Sequence, residues 1–284
     1  MHTLAAGEHW KIEGDASMTV LVMGATGNVG VAIVDALRKR GSGVRAVSRQ
    51  EHSWPSGVEG FVADPNDPDG LVPAAAGVDG VFLMSGYAAE PALLAALSDA
   101  HIVLLSASSA PLGGSGNAMA AYHLKSEQAV QSSGLPWTIL RPCSFQSNVL
   151  RWRDQLDAGD VVRAPFGDTP TALIDPADIA EVAAAALTEP GHAGHTYRLS
   201  GPESLTPGDQ VARLAEALNR PLTFEAIPDD EARRQLPPEY VEAMFEIFRD
   251  HPELESEVQP TVEQLLGRSP ARLEDWLNRH HDEL

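Results

Sequence analysis

Residues 19–40 read TVLVMGATGNVGVAIVDALRKR, and this stretch decides the fold. An apolar, β-branched run is followed by three spaced glycines and then by apolar residues at helical spacing. The helical part ends in a basic turn, Arg38 to Arg40, and Gly41 follows as a stop signal. The stretch therefore predicts a strand, a tight loop and a helix in that order, which is the first unit of a parallel α/β sheet.

Each of the three glycines has its own expected task in a loop of this kind. Gly24 permits the tight turn off the strand, and Gly27 lets the backbone approach a diphosphate without an intervening side chain. Gly30 lets the helix pack close against the strand. The amides at the helix N-terminus then face an anion, so the loop predicts a dinucleotide site. The alternative is a purely structural strand, turn and helix.

The end of the second predicted strand bears on which dinucleotide is bound. The strand covers 43–47 and is followed by Ser48 and Arg49, about 20 residues after the glycines. An acidic residue at this place would bind the ribose hydroxyl of NAD, whereas a hydroxyl and a guanidinium suit a 2′-phosphate. We therefore expect NADP(H), with NAD(H) as the alternative. In the competing interpretation, Arg49 is only a solvated charge at the end of the strand.

Composition excludes several classes of function. Forty acidic and 20 basic residues among 284 give a formal charge of −20, which disfavours nucleic acid and anionic membrane surfaces as partners. No apolar run is long enough to span a bilayer, and no signal peptide is visible. The single cysteine, Cys143, supports neither a disulfide nor a thiolate metal cluster, and no metal site is predicted. A cytoplasmic location is expected.

Strand and helix patterns alternate along the chain and predict a Rossmann-like, doubly wound parallel sheet with a smaller C-terminal α+β substrate lobe. Residues 1–17 are expected to form a disordered extension, residues 18–150 the dinucleotide-binding domain and residues 151–284 mainly the lobe. Later strands are left free to return to the sheet. Within the second half, Asp175 and Pro176 predict a helix start as N-cap and first helical residue.

The carboxyl ends of parallel strands line the ligand crevice of such a sheet. Asp64, at the end of the third strand, is expected near adenine or, alternatively, as a helix cap. The full set of expected cofactor contacts is Gly24, Thr26, Gly27, Asn28, Val29, Gly30, Ser48, Arg49, Asp64, Met84, Ser85, Gly86, Ser106, His123, Pro142, Cys143 and Phe145.

Several motifs together resemble the NmrA-like group of atypical short-chain dehydrogenases/reductases, which includes NADPH:quinone oxidoreductases and triphenylmethane reductase. The motifs are GATGNVG at 24–30, VRAVSR at 44–49, SGLPWTILRP at 133–142, IDPADIA at 174–180 and LGRSPAR at 266–272. The resemblance runs from about Met18 to near the C-terminus. It implies NADP(H) as cofactor and a substrate bound between the sheet domain and the lobe.

One departure from the superfamily pattern concerns catalysis. Ordinary members carry a Tyr-x-x-x-Lys helix, in which lysine lowers the pKa of the tyrosine. Alignment on Glu127 and on Ser133 with Gly134 places His123 at the lysine position and Met119 at the tyrosine position, so the dyad is missing. His123 is the candidate for contacting ribose or relaying a proton, or else it only packs. Tyr122 is a weaker candidate acid and more typical of a pocket wall.

These features favour an NAD(P)H-dependent oxidoreductase acting on a quinone or another conjugated aromatic acceptor, including an aromatic polyketide. Such acceptors accept hydride before a proton arrives, so a missing tyrosine matters less. The alternatives are a non-catalytic dinucleotide-binding redox sensor with a protein partner and an oxygen-using tailoring enzyme. A homodimer is left open.

Overall fold

A computed structural model describes residues 18–284, so the extension predicted for residues 1–17 lies outside the described residues. Nine strands and twelve α-helices follow one another within this part of the chain. The strands are β1 Thr19–Val22, β2 Gly43–Ser48, β3 Val58–Val62, β4 Gly80–Met84, β5 His101–Leu105, β6 Trp137–Pro142, β7 Val161–Ala164, β8 His195–Leu199 and β9 Thr223–Ala226. The helices are α1 Asn28–Lys39, α2 Pro68–Ala74, α3 Glu90–Ala96, α4 Ala118–Ser132, α5 Arg153–Ala158, α6 Pro176–Thr188, α7 Pro207–Leu218, α8 Asp229–Gln235, α9 Val241–Phe245, α10 Glu253–Ser256, α11 Thr261–Leu266 and α12 Leu273–Arg279. Short 3₁₀ helices span Ala110–Ser115, Gln146–Trp152 and His281–Glu283, and a π-helical turn spans Glu246–Asp250.

Seven strands form one parallel sheet in the order β3-β2-β1-β4-β5-β6-β8. Helices α1 and α6 cover one face through an apolar core that includes Ile33, Leu37 and Ile179. Helices α2 and α3 pack on the other face around Leu71 and Leu93. This arrangement confirms the predicted doubly wound α/β fold.

The chain crosses between the sheet and the lobe more than once. Helix α6 and strand β8, which lie in the range 151–284, belong to the sheet layer, and this is the return that the prediction left open. The lobe has its own core, built around Trp152, Leu214 and Trp276, and a two-stranded parallel sheet of β7 and β9. Segments of the sheet and of the lobe therefore alternate along the chain. A single boundary at residue 150 marks only the first passage of the chain from the sheet into the lobe.

Local sequence signals explain where several helices begin. The Asp175 side chain accepts a hydrogen bond from the Ala177 amide at 2.8 Å, and Pro176 is the first helical residue of α6, as predicted. At α7, Thr206 and Asp209 form a reciprocal capping box. Within residues 18–284 no helix combines the length and apolarity needed to cross a bilayer. The cytoplasmic location and the homodimer stay predictions.

The contact between α1 and the loop before it sets the geometry of the first unit. A Cβ atom added to Gly30 would lie 2.0 Å from the Gly24 carbonyl oxygen and 2.8 Å from the Ala25 Cα. Both obstacles are backbone atoms, which cannot move aside as a flexible side chain can. Glycine at position 30 is therefore what allows α1 to sit against the end of β1.

We expect Gly30→Ala to lower the free energy of unfolding by about 3 kcal/mol or more, because overpacking against fixed backbone forces α1 away from the sheet. Chemical denaturation followed by circular dichroism measures the change. Gly114→Ala is the matched control, since a Cβ at Gly114 would meet no atom within 4 Å. Equal stability of the two variants would contradict the close packing of α1.

Candidate active site

The glycine loop at the end of β1 has the geometry of an anion site. Gly24 adopts a φ of +64°, which a residue with a side chain rarely adopts. Gly27 is the N-cap of α1, and a Cβ placed there would meet only the Gly24 carbonyl oxygen, at 3.3 Å. No side chain caps α1, and its first turn holds no acidic residue. The amides of the first helical turn are thus left for a diphosphate, and the residues present fit a dinucleotide.

The residues at the edge of this loop occupy different positions. Thr26 and Asn28 are exposed, whereas Val29 is buried in the core below the loop. The Asn28 side-chain amide donates to the Ser147 hydroxyl at 3.2 Å. This contact brings the 3₁₀ helix Gln146–Trp152 to the mouth of the glycine loop.

At the end of β2, Ser48 and Arg49 have separate surroundings. Ser48 is buried and its hydroxyl donates to the Gln50 carbonyl at 2.6 Å, so that proton is already committed. Arg49 is exposed and has no ion pair among the described residues. Burial raises the pKa of Tyr87, and the positive charge of Arg49 partly opposes this effect. The Ala25 amide donates to the Val47 carbonyl at 3.2 Å, so the end of β2, which Arg49 follows, lies beside the glycine loop.

Asp64 follows β3 and is exposed. Its carboxylate accepts hydrogen bonds from the backbone and side-chain amides of Asn66, at 2.9 and 3.1 Å. The cap of α2 is Asp67, whose side chain accepts from the Asp69 amide. The alternative prediction, that Asp64 caps the following helix, is therefore wrong. Asp67 caps α2, and the Asp64 carboxylate accepts its hydrogen bonds within a local turn.

The end of β4 meets α4 at close range. The Ser85 hydroxyl donates to the Leu105 carbonyl at 2.9 Å, and the Gly86 amide donates to the Ser126 hydroxyl at 3.0 Å. Gly86 has a φ of +91°, and a Cβ there would lie 3.0 Å from the Tyr122 ring. The strand end is therefore closed by the wall that α4 provides.

A buried carboxylate on α4 ties this helix to the two neighbouring strand ends. Glu127 is 1% exposed and accepts two hydrogen bonds from Arg141 on β6, at 2.9 and 2.6 Å. It also accepts a hydrogen bond of 2.5 Å from the Ser106 hydroxyl, directly after β5. A forked guanidinium and a hydroxyl together satisfy a charge that would be costly to bury alone. We call these three residues the Glu127 clamp.

His123 lies one helical turn before Glu127 and is half-buried. Its Nδ1 atom is shielded from solvent and has no hydrogen-bond partner among residues 18–284. Burial lowers the pKa of the imidazole to about 4, although the Glu127 carboxylate opposes the shift. At neutral pH the ring is therefore uncharged: it can position a ligand through a hydrogen bond but holds no spare proton to deliver.

Tyr122 lies next to His123 on α4. Its ring lies against the imidazole with centroids 4.0 Å apart, and its side chain faces Gly86. Burial raises the pKa of the phenol, with Tyr240 adding to the shift, so no neighbour activates it as an acid. Met119, at the position expected for tyrosine, has no acid–base chemistry to offer.

The segment after β6 lies at the carboxyl ends of the strands, where the cofactor cleft is expected, and its side chains have different surroundings. Pro142 ends β6 and pairs with Leu199 of β8. Cys143 is buried, its thiol donates to the Leu254 carbonyl, and burial raises its pKa, so its side chain does not line the cleft. Phe145 is half-buried at the start of the 3₁₀ helix and remains available to a bound ring.

Two further residues anchor the lobe to this end of the sheet. The fully buried Glu255 carboxylate of α10 accepts hydrogen bonds from the Ser108 hydroxyl and from the Ser144 amide, the latter at 2.7 Å. Asn117 is the N-cap of α4: its oxygen accepts from the Met119 and Ala120 amides. The nitrogen of the same side chain donates to the Ala243 carbonyl and to Glu246, at 3.0 and 2.8 Å.

Residues 16–277 match the NmrA-like family. The chain belongs to this family.

Curated relatives of this NmrA-like chain include named reductases. The (4-alkanoyl-5-oxo-2,5-dihydrofuran-3-yl)methyl phosphate reductase of Streptomyces griseus is 38% identical over 275 residues, covering 92% of this chain and 97% of the relative. The NAD(P)H azoreductase of Xenophilus azovorans is 29% identical and covers 89% and 94% of the two chains.

A solved structure shares the fold of this NmrA-like chain. The NADPH-dependent quinone oxidoreductase QOR2 of Escherichia coli, solved in complex with NADPH, is 22% identical with a TM-score of 0.77. The match covers 93% of this chain and 100% of that one.

Sequence reasoning missed three side chains that organise the site: Glu255, Asn117 and the clamp role of Glu127. In the sequence, Glu127 was used only to set the register of the family motif. An acidic residue in the middle of a helix, beside small residues, could have suggested a buried carboxylate. Glu255 is one of several acidic residues between 246 and 257, and no local pattern separates it from its exposed neighbours. Only the tertiary structure shows which carboxylate turns inward.

We expect NADPH to bind this protein more tightly than NADH, and Arg49→Gln to remove most of that preference. The guanidinium is free for a charge-assisted contact with the 2′-phosphate, which is worth about 1 to 3 kcal/mol. Isothermal titration with both cofactors measures the difference. Arg38→Gln, on the outer side of α1 and paired with Asp35, is the control. Equal affinities of the parent for both cofactors would contradict this assignment.

The lowered pKa of His123 predicts a pH effect on stability. Between about pH 4 and pH 6.5 the unfolded imidazole binds a proton that the folded one does not, so acidification lowers the free energy of unfolding. We expect His123→Gln to reduce this slope by up to about 1 kcal/mol per pH unit. Urea titrations at several pH values in this range measure it.

His281→Gln is the matched control, because His281 is exposed in the C-terminal 3₁₀ helix and solvent surrounds its ring in both states. An unchanged slope in His123→Gln would show that the folded imidazole takes up its proton as a solvated histidine does.

Proposed function

We propose that this chain is an NADPH-dependent reductase of a carbon–carbon double bond conjugated to carbonyl groups. The observation that carries the proposal is the chemistry of the cleft: it fits a hydride-donating dinucleotide but provides an uncharged His123 where a tyrosine–lysine pair would supply a proton. Such a cleft suits an acceptor that stabilises the negative charge left by hydride addition. Membership among NAD(P)H-dependent oxidoreductases is supported by the curated reductases that resemble it.

The substrate class that we propose is an alkanoyl butenolide phosphate, of the kind named for the Streptomyces griseus relative. In this compound the double bond joins the ring carbon that bears the phosphomethyl group to the ring carbon that bears the alkanoyl group. The second carbon lies between two carbonyls, those of the lactone and of the alkanoyl group. The near-complete coverage of both chains supports carrying this substrate class over.

The electron balance of the reaction explains why no strong acid is needed. NADPH supplies a hydride, which adds to the carbon that bears the phosphomethyl group. The π electrons move to the neighbouring carbon and spread over both carbonyl oxygens as an enolate. Water then protonates that carbon, so the substrate gains two hydrogens and the cofactor leaves oxidised. General acid catalysis typically raises a reaction rate about 100- to 10,000-fold, and it contributes least when the intermediate anion is already stable.

The residues of the chain have positioning and binding tasks in this reaction. The glycine loop and the N-terminus of α1 hold the diphosphate, and Arg49 holds the 2′-phosphate. His123 donates or accepts one hydrogen bond at the nicotinamide end, and the Glu127 clamp fixes the helix that carries it. Phe145 provides an apolar face against a ring. Orientation of the two reactants is the main source of rate in such a site.

Quinones and aromatic polyketides are the second substrate class. A quinone accepts hydride to give a stabilised phenolate, so the same absence of an acid is tolerated. The azoreductase and quinone oxidoreductase names among the relatives support testing these acceptors.

We expect purified protein with NADPH to reduce an alkanoyl butenolide phosphate, seen as a loss of reduced-nicotinamide absorbance and as a product heavier by two hydrogens. His123→Ala should lower kcat/KM by about 10-fold, the size of one hydrogen bond rather than of a general acid. Tyr122→Phe should change kcat/KM less than twofold. Isolated, unconjugated ketones should react poorly because their alkoxide requires a proton donor.

The redox-sensor alternative makes the opposite forecast for the same assay. It requires tight NADPH binding without turnover of any butenolide, quinone or polycyclic acceptor, and a protein partner whose affinity follows the cofactor's redox state. Binding without turnover across this panel would replace the reductase assignment by the sensor.

A further inference from the structure

The 3₁₀ helix Gln146–Trp152 leads away from the cofactor cleft and presents three rows of side chains. Since a 3₁₀ helix has three residues per turn, residues three apart lie above one another. One row, Gln146, Val149 and Trp152, is buried, with exposed fractions of 1%, 1% and 2%. The row that begins at Phe145, the residue before the helix, continues through Asn148 to Arg151 and stays accessible. This accessible row connects the ring-binding end of the cleft with Arg151.

Arg151 is unusual in an acid-rich chain because its charge is not neutralised. Among residues 18–284 every arginine pairs with a carboxylate except Arg49, Arg151 and Arg153. The formal charge of −20 offers many possible carboxylate partners. A guanidinium that avoids all of them is available to an anionic ligand.

The Arg151 side chain is accessible to solvent but rests against other protein groups. Its side chain is accessible to solvent, yet surrounding protein desolvates the guanidinium enough to lower its pKa, and burial is the sole cause of that shift. The guanidinium lies 5.3 Å from the centre of the Trp152 ring, which is fixed in the lobe core. An arginine that is held by an indole and open on one side is preorganised for a ligand.

The position of Arg151 separates it from the site expected for the cofactor phosphate. Arg49 follows β2, whereas Arg151 belongs to the segment after β6, and β1, β4 and β5 lie between these strands. At about 4.8 Å per strand, the two strand ends are about 19 Å apart. Arg49 thus follows a strand in the adenine half of the sheet, whereas Arg151 follows a strand on the side where a substrate would lie.

We propose that Arg151 binds the phosphate of the substrate and makes this reductase selective for phosphorylated acceptors. The inference rests on the proposed function, because it assigns a partner to the phosphomethyl group of the butenolide. A guanidinium matches a phosphate through two parallel hydrogen bonds. Arg153, two residues later on α5 and outside the accessible row, has no such part.

The test compares two substrates that differ only in the phosphate: the alkanoyl butenolide phosphate and its hydroxymethyl counterpart. The quantity measured is the ratio of their kcat/KM values. The parent should prefer the phosphate, and Arg151→Gln should reduce the preference roughly 10- to 100-fold, mainly through KM. Arg151→Lys keeps the positive charge but lacks the two parallel N–H donors of a guanidinium, so it should retain part of the preference for the phosphorylated substrate. Arg153→Gln should match the parent, and thermal unfolding checks that all variants fold.

An undiminished preference in Arg151→Gln, or an equal loss in Arg153→Gln, would overturn the assignment. If neither substrate is reduced, the proposed function fails, and the inference is then judged by calorimetric binding of the phosphate ester to the parent with NADP⁺ present. Binding that Arg151→Gln abolishes and Arg153→Gln retains would support the anion site by itself. Absence of binding to the parent, or equal binding to both variants, would overturn it.

Discussion

The active-site end of this molecule depends on one buried carboxylate. Glu127 is almost wholly removed from water, and its charge is tolerated because Arg141 and the Ser106 hydroxyl supply three hydrogen bonds. Since the partners come from two strand ends and the acid from a helix, the clamp fixes α4 relative to β5 and β6. Removing Arg141 would leave an uncompensated charge inside the fold, which is typically more damaging than replacing the whole group by apolar residues. The place of His123 over the cleft follows from this clamp.

A surplus of acid shapes how the cleft meets its ligands. Most arginines are used to neutralise carboxylates on the surface, where each pair contributes little stability. Arg49 and Arg151 are among the few that remain unpaired, and each is proposed to bind a phosphate group. At the glycine loop we expect backbone amides and the dipole of α1 to bind the diphosphate, and these need no extra cation. A strongly acidic protein can thus bind a highly charged dinucleotide without a basic patch.

Local signals made part of this structure predictable from the sequence. The glycine loop, the helix it opens, the cap at Asp175 and the alternation of strands and helices all rest on contacts between near neighbours in the chain. The return of α6 and β8 to the sheet could not be read in the same way, because it depends on pairing between β6 and β8, more than 50 residues apart. Asp64 and Asp67 carry the same side chain three residues apart, and only the backbone path decides which one caps α2.

The candidate site was less accessible to sequence reasoning than the fold. The motif spacing predicts that His123 stands at the family's lysine position, but its protonation state depends on burial, which requires the packed structure. The inward turn of Cys143 and Glu255 likewise follows from how the lobe meets the sheet. Residue type limited the chemistry available, and only tertiary packing decided which groups can take part.

The Asn117 side chain has a consequence for how the molecule moves. It is 3% exposed and uses all its hydrogen-bonding capacity: the oxygen holds the first turn of α4, while the nitrogen holds α9 and the π-helical turn. The lobe segment around 241–250 therefore cannot swing outward without stripping two acceptors from the amide that also starts the helix bearing His123. Displacement of this segment would therefore loosen the residue that starts the helix bearing His123, because one side chain serves both contacts.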